Sequence, residues 1–184
     1  MKFTSQSIND VILIEPNIIN DSRGYFVETF RQDLLEKTIG YKVDFKQENE
    51  SKSSKGTLRG LHYQIEPFAQ AKLLSVIKGR VLDVAVDIRK SSPSFGDHVS
   101  IELTENNKRQ LFVPKGFAHG FVVLSNSAIL TYKVDNYYAP KYDRGIAFND
   151  KKLKIDWQFS SEDLQFSDKD KTHPSLANAK DLFD

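Results

Sequence analysis

Two histidines stand beside glycines, and the first, His62, lies in a segment dense in function-capable groups where an imidazole could act as a general base near neutral pH. His62 lies in Gly56-Thr57-Leu58-Arg59-Gly60-Leu61-His62-Tyr63-Gln64, with Arg59 three residues earlier and glycines that let the backbone approach a ligand. From the residues alone, this imidazole serves equally well as a general base or as a hydrogen-bonded structural group. His119 lies in Val113-Pro114-Lys115-Gly116-Phe117-Ala118-His119-Gly120-Phe121, a tight turn that presents an imidazole at the start of a strand. Lys72, in Gln70-Ala71-Lys72-Leu73, opens an apolar strand. Such a lysine commonly snorkels to solvent, and its functional reading is a cation held near a developing oxyanion. Tyr132, in Leu130-Thr131-Tyr132-Lys133, is a mid-strand tyrosine of the kind that usually packs in a core, yet its phenol can donate a proton into a polar pocket. Tyr137-Tyr138-Ala139-Pro140 offers aromatic faces for stacking or for ordinary packing. Ser167-Asp168-Lys169-Asp170 reads as a solvated charge run.

The spacing Pro-x-Gly-x-x-His-x-Phe around His119 resembles the second motif of cupin barrels, whose histidine often ligates a metal. Metal-binding cupins add a His-x-His pair and a downstream glutamate, whereas the matching place here reads His62-Tyr63-Gln64, with one imidazole. Two histidines without a carboxylate partner make a poor metal site, so neither a metal nor a dioxygenase chemistry built on one is expected.

The elements that must position these groups are short. The chain has 184 residues, 39% of them hydrophobic, with 13 Phe and 7 Tyr, which suits one domain with a sizeable core. Lysine plus arginine number 26 against 25 acidic residues, so no bulk field attracts nucleic acid or an acidic membrane, and an anion must be held by local cations. The absence of cysteine excludes disulfides and thiolate chemistry and fits a reducing cytoplasm. Met1 to Asp10 is polar, which predicts no cleaved signal peptide, and no apolar run is long enough to span a bilayer.

Strands are predicted at Val11 to Glu15, Tyr25 to Phe30, Lys72 to Ile77, Val81 to Ile88, Val99 to Leu103, Gln110 to Val113, Gly120 to Leu124 and Ala128 to Val134. Gly79 between two of them reads as a hairpin turn. In Val81 to Ile88 one face carries Asp83 and Asp87, so it is either wet or lines a polar cavity. Helix is expected only at Gln32 to Lys37, with Asp33 as its cap, and in the tail after Ser160, opening at Ser161. The pattern is all-β, and a jelly roll suits it because its two sheets enclose a polar pocket.

The order of motifs along the chain carries more than any one of them. Asp21-x-Arg23-Gly24-x-Phe26-x-Glu28, Gln47-Glu48-Asn49-x-Ser51, Leu58-Arg59-Gly60-Leu61-His62-Tyr63-Gln64 and Gln70-x-Lys72-Leu73 strongly resemble the dTDP-4-dehydrorhamnose 3,5-epimerases. So do Gly79-x-Val81-x-Asp83-Val84-x-Val86-Asp87-x-Arg89, Ser92-Pro93-x-Phe95-Gly96, Pro114-x-Gly116-Phe117-x-His119-Gly120-Phe121, Tyr132-Lys133, Tyr138-x-Pro140, Asn149-Asp150 and Lys169-Asp170. The resemblance spans nearly the whole chain.

It implies a cupin-like jelly-roll barrel over residues 1–184, with its core at about 45–150, usually a homodimer, working without metal or organic cofactor on a dTDP-linked sugar. It places the catalytic base on His62, its carboxylate partner on Asp170, the proton-donating phenol on Tyr132 and the lysine near the substrate carbonyl on Lys72. Binding positions fall on Arg23, Phe26, Glu28, Gln47, Glu48, Asn49, Arg59, His119 and Lys169, and the aromatic that stacks on thymine falls on Tyr138. Asp143 stands where the family pattern has a glutamate in the nucleotide pocket. The expected reaction is epimerisation at C3 and C5 of a 4-keto-6-deoxyhexose. The neighbouring alternatives are inversion of one centre only and a non-catalytic sugar-binding barrel.

Overall fold

The computed structural model describes residues 1–184. The alternating and apolar runs fold as strands. The first four are β1 (Lys2–Ser5), β2 (Ile12–Glu15), β3 (Ile18–Asp21) and β4 (Gly24–Val27), followed by helix α1 (Gln32–Ile39). Then come β5 (Gln47–Ser54), β6 (Leu58–Gln64), β7 (Lys72–Lys78), β8 (Arg80–Asp87) and β9 (His98–Thr104). The last are β10 (Gln110–Val113), β11 (Phe117–Val123), β12 (Ser127–Val134) and β13 (Asp143–Gly145). One sheet has the order β1-β2-β10-β7-β12-β5 and the other β13-β6-β11-β8-β9, while β3 and β4 form a separate hairpin. All pairings are antiparallel. These two facing sheets make the jelly roll that the strand pattern predicts and the cupin-like barrel that the resemblance implies.

Three apolar layers hold the sheets. Leu74, Val76, Val81, Ala85, Phe121 and Leu130 belong to the cluster between the sheets. Leu61, Val84, Val86 and Val122 face outward from the five-stranded sheet and are covered by the tail through Ile146, Leu153, Trp157, Leu164 and Leu176. Ile12, Ile14, Leu73 and Phe112 are covered on the other side by Leu35 of α1 and by Val43. Strand β8 is therefore buried on both faces, which explains its nearly continuous apolar run.

Several expectations are corrected. Gly79 does not join a hairpin: β7 and β8 lie in different sheets, so the chain there turns the corner of the barrel. Strand β4 stops at Val27 rather than Phe30. The tail after Ser160 forms turns instead of a helix, with short 3-10 segments at Asp170–Thr172 and Leu176–Asn178. There the Asp163 backbone N–H donates to the Ser160 carbonyl at 3.1 Å, closing a single turn that is not continued as helix. Asp33 does not cap α1: the N-cap position is Arg31, and Asp33 lies in the first turn, paired with the Arg31 guanidinium. Strand β5 escaped the sequence reading because Gln47–Ser54 is wholly polar and shows no hydrophobic alternation. No helix is long and apolar enough to cross a membrane.

Candidate active site

Strands alternate their side chains, so Arg59 and His62, three apart, would normally face opposite sides. The register of β6 against β11 shows why they do not: His62 pairs with His119 but Arg59 pairs with Phe121. Two residues of β6, Gly60 and Leu61, thus oppose Gly120 alone on β11, which is a bulge. Gly60 sits at φ 137°, and a Cβ there would stand 2.5 Å from Gly120 Cα, so glycines on both strands allow the close approach. Both side chains consequently reach one cavity of about 440 Å³, which Lys72, His119, Tyr132 and Asp170 also line.

His62 meets Asp170, whose Oδ1 lies 2.5 Å from Nε2. With the proton on Nε2, the ring keeps Nδ1 as its basic nitrogen. Asp170 is 3% exposed, against the solvated reading of its segment. Ser167 Oγ donates to Asp170 Oδ2 at 2.7 Å and accepts from the Asp170 backbone N–H at 3.2 Å. This reciprocal Ser-x-x-Asp pattern resembles a capping box, and it is the signal by which Ser167 could have been found. Burial alone would raise the Asp170 carboxyl, but the N–H groups of His173 and His62 and the Ser167 hydroxyl outweigh it and hold the group well below the usual carboxylate range. His173, 8% exposed beside Asp170, was not singled out from the sequence.

Deeper in the barrel, His119 Nε2 lies 3.0 Å from Asp83 Oδ1, and both residues are buried. Burial lowers the His119 pKa, with Asp83 opposing that shift. Of the two acids on the inner face of β8, Asp83 therefore serves the cavity. Asp87 instead anchors Arg89, Ser92 and Ser94 in a structural knot. Lys72 does not snorkel. It is buried, and Nζ donates to the His62 backbone carbonyl at 3.3 Å. Burial depresses its ammonium to about 8, against the pull of Asp143 and Asp83.

Tyr132 comes from the opposite sheet, where β12 pairs it with Asn49 of β5. Burial raises the phenol pKa, although Arg59 and Asn49 counter it, so the group stays protonated at neutral pH. Arg59 Nε donates to Ser53 Oγ at 3.1 Å. A second cavity of about 340 Å³ shares His62, Lys72 and Tyr132 and extends to Gln47, Asn49, Tyr138, Asp143 and Lys169. Gln47 Nε2 donates to Asn49 Oδ1 at 2.7 Å. The Tyr138 hydroxyl donates to Asp143 Oδ2 at 3.1 Å, and Lys169 forms an ion pair with the same carboxylate.

Four residues are not brought to these cavities. Glu48 points to the other face of β5, where it pairs with Lys133 at 2.9 Å, as strand alternation requires. Arg23, Phe26 and Glu28 belong to the β3–β4 hairpin and its exit. There Arg23 pairs with Asp21 at 2.6 Å, Glu28 lies 3.7 Å from Arg31, and Phe26 is 68% exposed.

The donor atoms of His62, Asp170 and His173 all lie within 4.8 Å of one another. Metal–ligand bonds of about 2.0–2.1 Å at tetrahedral angles separate donors by about 3.3 Å. The 2.5 Å contact between His62 and Asp170 is that of a charge-assisted hydrogen bond instead.

The fold and this cavity define a cupin-like barrel equipped for proton transfer, with an acid-supported imidazole and a phenol supplied by facing sheets. A family profile described as dTDP-4-dehydrorhamnose 3,5-epimerase matches residues 5–178, and the chain belongs to that family. It is 51% identical over 170 residues to the dTDP-4-dehydrorhamnose 3,5-epimerase of Shigella flexneri, covering 92% of this chain and 93% of the relative. A crystal structure of dTDP-6-deoxy-D-glucose-3,5-epimerase from Legionella pneumophila, in complex with dTDP-4-keto-L-rhamnose, superposes with TM-score 0.93 at 44% identity over 97% of this chain and 94% of that one. A 3'-monoepimerase from Streptomyces bikiniensis, in complex with dTDP-quinovose, gives TM-score 0.86 at 32% identity over 94% and 86%.

The burial of Lys72 leads to a direct prediction. Nitrogen-detected NMR of the free protein will show its ammonium titrating near pH 8, whereas a midpoint at the ordinary lysine value of 10.5 would contradict the enclosed position.

Proposed function

We propose that this chain is a cofactor-independent isomerase that converts dTDP-4-dehydro-6-deoxy-D-glucose to dTDP-4-dehydro-L-rhamnose by inverting C3 and C5. The single observation that carries the reading is the placement of His62, supported by Asp170, and of Tyr132 on facing sheets around one cavity. Inversion α to a ketone needs a base on one face of the sugar and an acid on the other. His62 takes the C5 proton, and the electron pair passes into the C4 carbonyl as an enolate. Lys72 stabilises that oxygen, where charge develops. Tyr132 then protonates C5 from the opposite side. A second cycle inverts C3. Each cycle leaves an imidazolium and a phenolate, which exchange with solvent and reset.

Asp170 fixes the His62 tautomer and supports its positive charge after proton transfer. Arg59 supplies a planar fork for the diphosphate, and Tyr138, exposed at the rim of the second cavity, supplies the face on which thymine stacks. Asp143, shorter than the family's glutamate, is turned toward Lys169 and Tyr138 and positions both.

The working unit we propose is a cytoplasmic homodimer. Ile19, Tyr25 and Phe26 are all exposed on the β3–β4 hairpin, an apolar surface of the kind that marks an interface. Seating it on a second copy would carry Arg23 and Glu28 toward that copy's cavity. Sedimentation will show a dimer, and Phe26→Asp will shift it toward monomer with a raised KM. A monomeric parent would contradict this arrangement.

The chemistry is tested by incubating the protein with dTDP-4-keto-6-deoxyglucose in D₂O and locating deuterium by NMR. Label at both C3 and C5 is expected, and label at one carbon would assign a single-centre epimerase. His62→Ala will lower exchange at both positions by about 10²–10⁴-fold. Tyr132→Phe will slow turnover while leaving some proton washout. Near-normal turnover in His62→Ala would overturn the mechanism.

A further inference from the structure

His173 is a buried imidazole whose Nε2 makes no hydrogen bond. Burying a polar group without a partner is costly, and the fold makes specific room for this one. Gly145 of β13 pairs across from His62 of β6, and a Cβ at Gly145 would collide with the His173 ring. The ring is instead held edge-on to His62, with centroids 5.5 Å apart and planes at 79°. Its Nε2 faces Asp170 Oδ1 at 3.6 Å, the same oxygen that bonds His62. That distance exceeds a hydrogen bond, so the contact acts as an oriented dipole in a low-dielectric site. Facing a carboxylate, Nε2 carries the proton.

Resting on the reading of His62 as the base, we propose that His173 is a positioning residue: it shares the Asp170 carboxylate with His62, fixes the His62 ring plane, and divides the negative potential of that carboxylate between the two rings. Directing a second N–H at Oδ1 draws off part of the negative potential that reaches His62. The edge-to-face packing limits rotation of the ring and so preserves the tautomer with Nδ1 free.

Other charged or titratable groups surround the pair. Lys72 on β7, His119 on β11, Arg59 on β6 and Tyr132 on β12 share its cavity. Asp143 on β13 and Lys169 in the tail lie beyond them in the second cavity. A comparison of two variants at position 173 leaves all of these in place. His173→Phe keeps an aromatic ring and loses the N–H, whereas His173→Gln retains an N–H near the Nε2 position.

The experiment reads the His62 ring resonances by NMR against pH in the ligand-free protein, which needs no turnover. In His173→Phe the His62 midpoint is expected to rise by roughly half to one pH unit, and in His173→Gln to return most of the way. Substrate turnover should follow: the acid limb of kcat/KM moves up by the same amount in the Phe variant, with the neutral-pH KM unchanged. If Phe at this place lowers the melting temperature, His173→Leu removes the N–H without the larger ring.

A His62 midpoint unchanged in the Phe or Leu variant would overturn the proposal. Equal shifts in Phe and Gln would also overturn it, since packing alone would then account for the effect. Failure of the epimerase reading is distinguishable, because it would remove solvent exchange in the parent protein while leaving the His62 titration measurable.

Discussion

A carboxylate at 3% exposure persists as an ion only where donors replace the water it has lost, and Asp170 meets that condition through His62 and Ser167. The cost of burying it ties the tail to the barrel. Gln165 exchanges backbone hydrogen bonds with Gly56 and Leu58 before Asp170, and Pro174 accepts from Ala147 after it. The segment between is thus pinned at both ends, and Asp170 is delivered to an imidazole 108 residues away in sequence. The aromatic residues that hold the tail on the outer sheet, Trp157 and Phe166 among them, serve this placement as well as the core.

Strand alternation and one departure from it do the remaining work. On β12 the inward positions Ala128 and Leu130 pack in the core before the same face presents Tyr132, and on β7 the face that carries Leu74 and Val76 also carries Lys72. The barrel interior therefore changes along each strand from apolar packing to a polar mouth. The bulge in β6 adds Arg59 and His62 to that mouth together, and the Lys72 bond to the His62 carbonyl joins the two sheets at the same point. A lysine depressed to about 8 and a phenol kept protonated by burial are consequences of this enclosure.

Much of this was legible beforehand where side-chain chemistry and period agree. The strands β7, β8, β9, β10 and β12 follow from their apolar patterning, and the four residues that the motif order grouped, His62, Lys72, Tyr132 and Asp170, line one cavity. The gaps have physical causes. Strand β5 is polar because one face lines the cavity and the other meets solvent, so no hydrophobic period marks it. Ser167-Asp168-Lys169-Asp170 is charged like any surface run, and only its docking against β6 buries the last carboxylate. Gly79 reads as a hairpin because local sequence does not say which sheet a strand will join. Glu48 sits inside a motif whose neighbours face the cavity, yet a period of two turns it outward to Lys133. Arg23, Phe26 and Glu28 stand on or just after a hairpin that pairs with neither main sheet, and no local pattern encodes that separation from the cavities.

The central claim is that Asp170 makes His62 a base by holding its proton on Nε2. The most direct test is the rate of C5 hydrogen exchange in Asp170→Asn, alongside a measurement of dTDP affinity. Asparagine keeps the size of the side chain but removes the charge that orients the ring, so the account predicts exchange slowed by about 10³–10⁴-fold with dTDP binding intact. Exchange at the parent rate in a folded, dTDP-binding Asp170→Asn protein would contradict it.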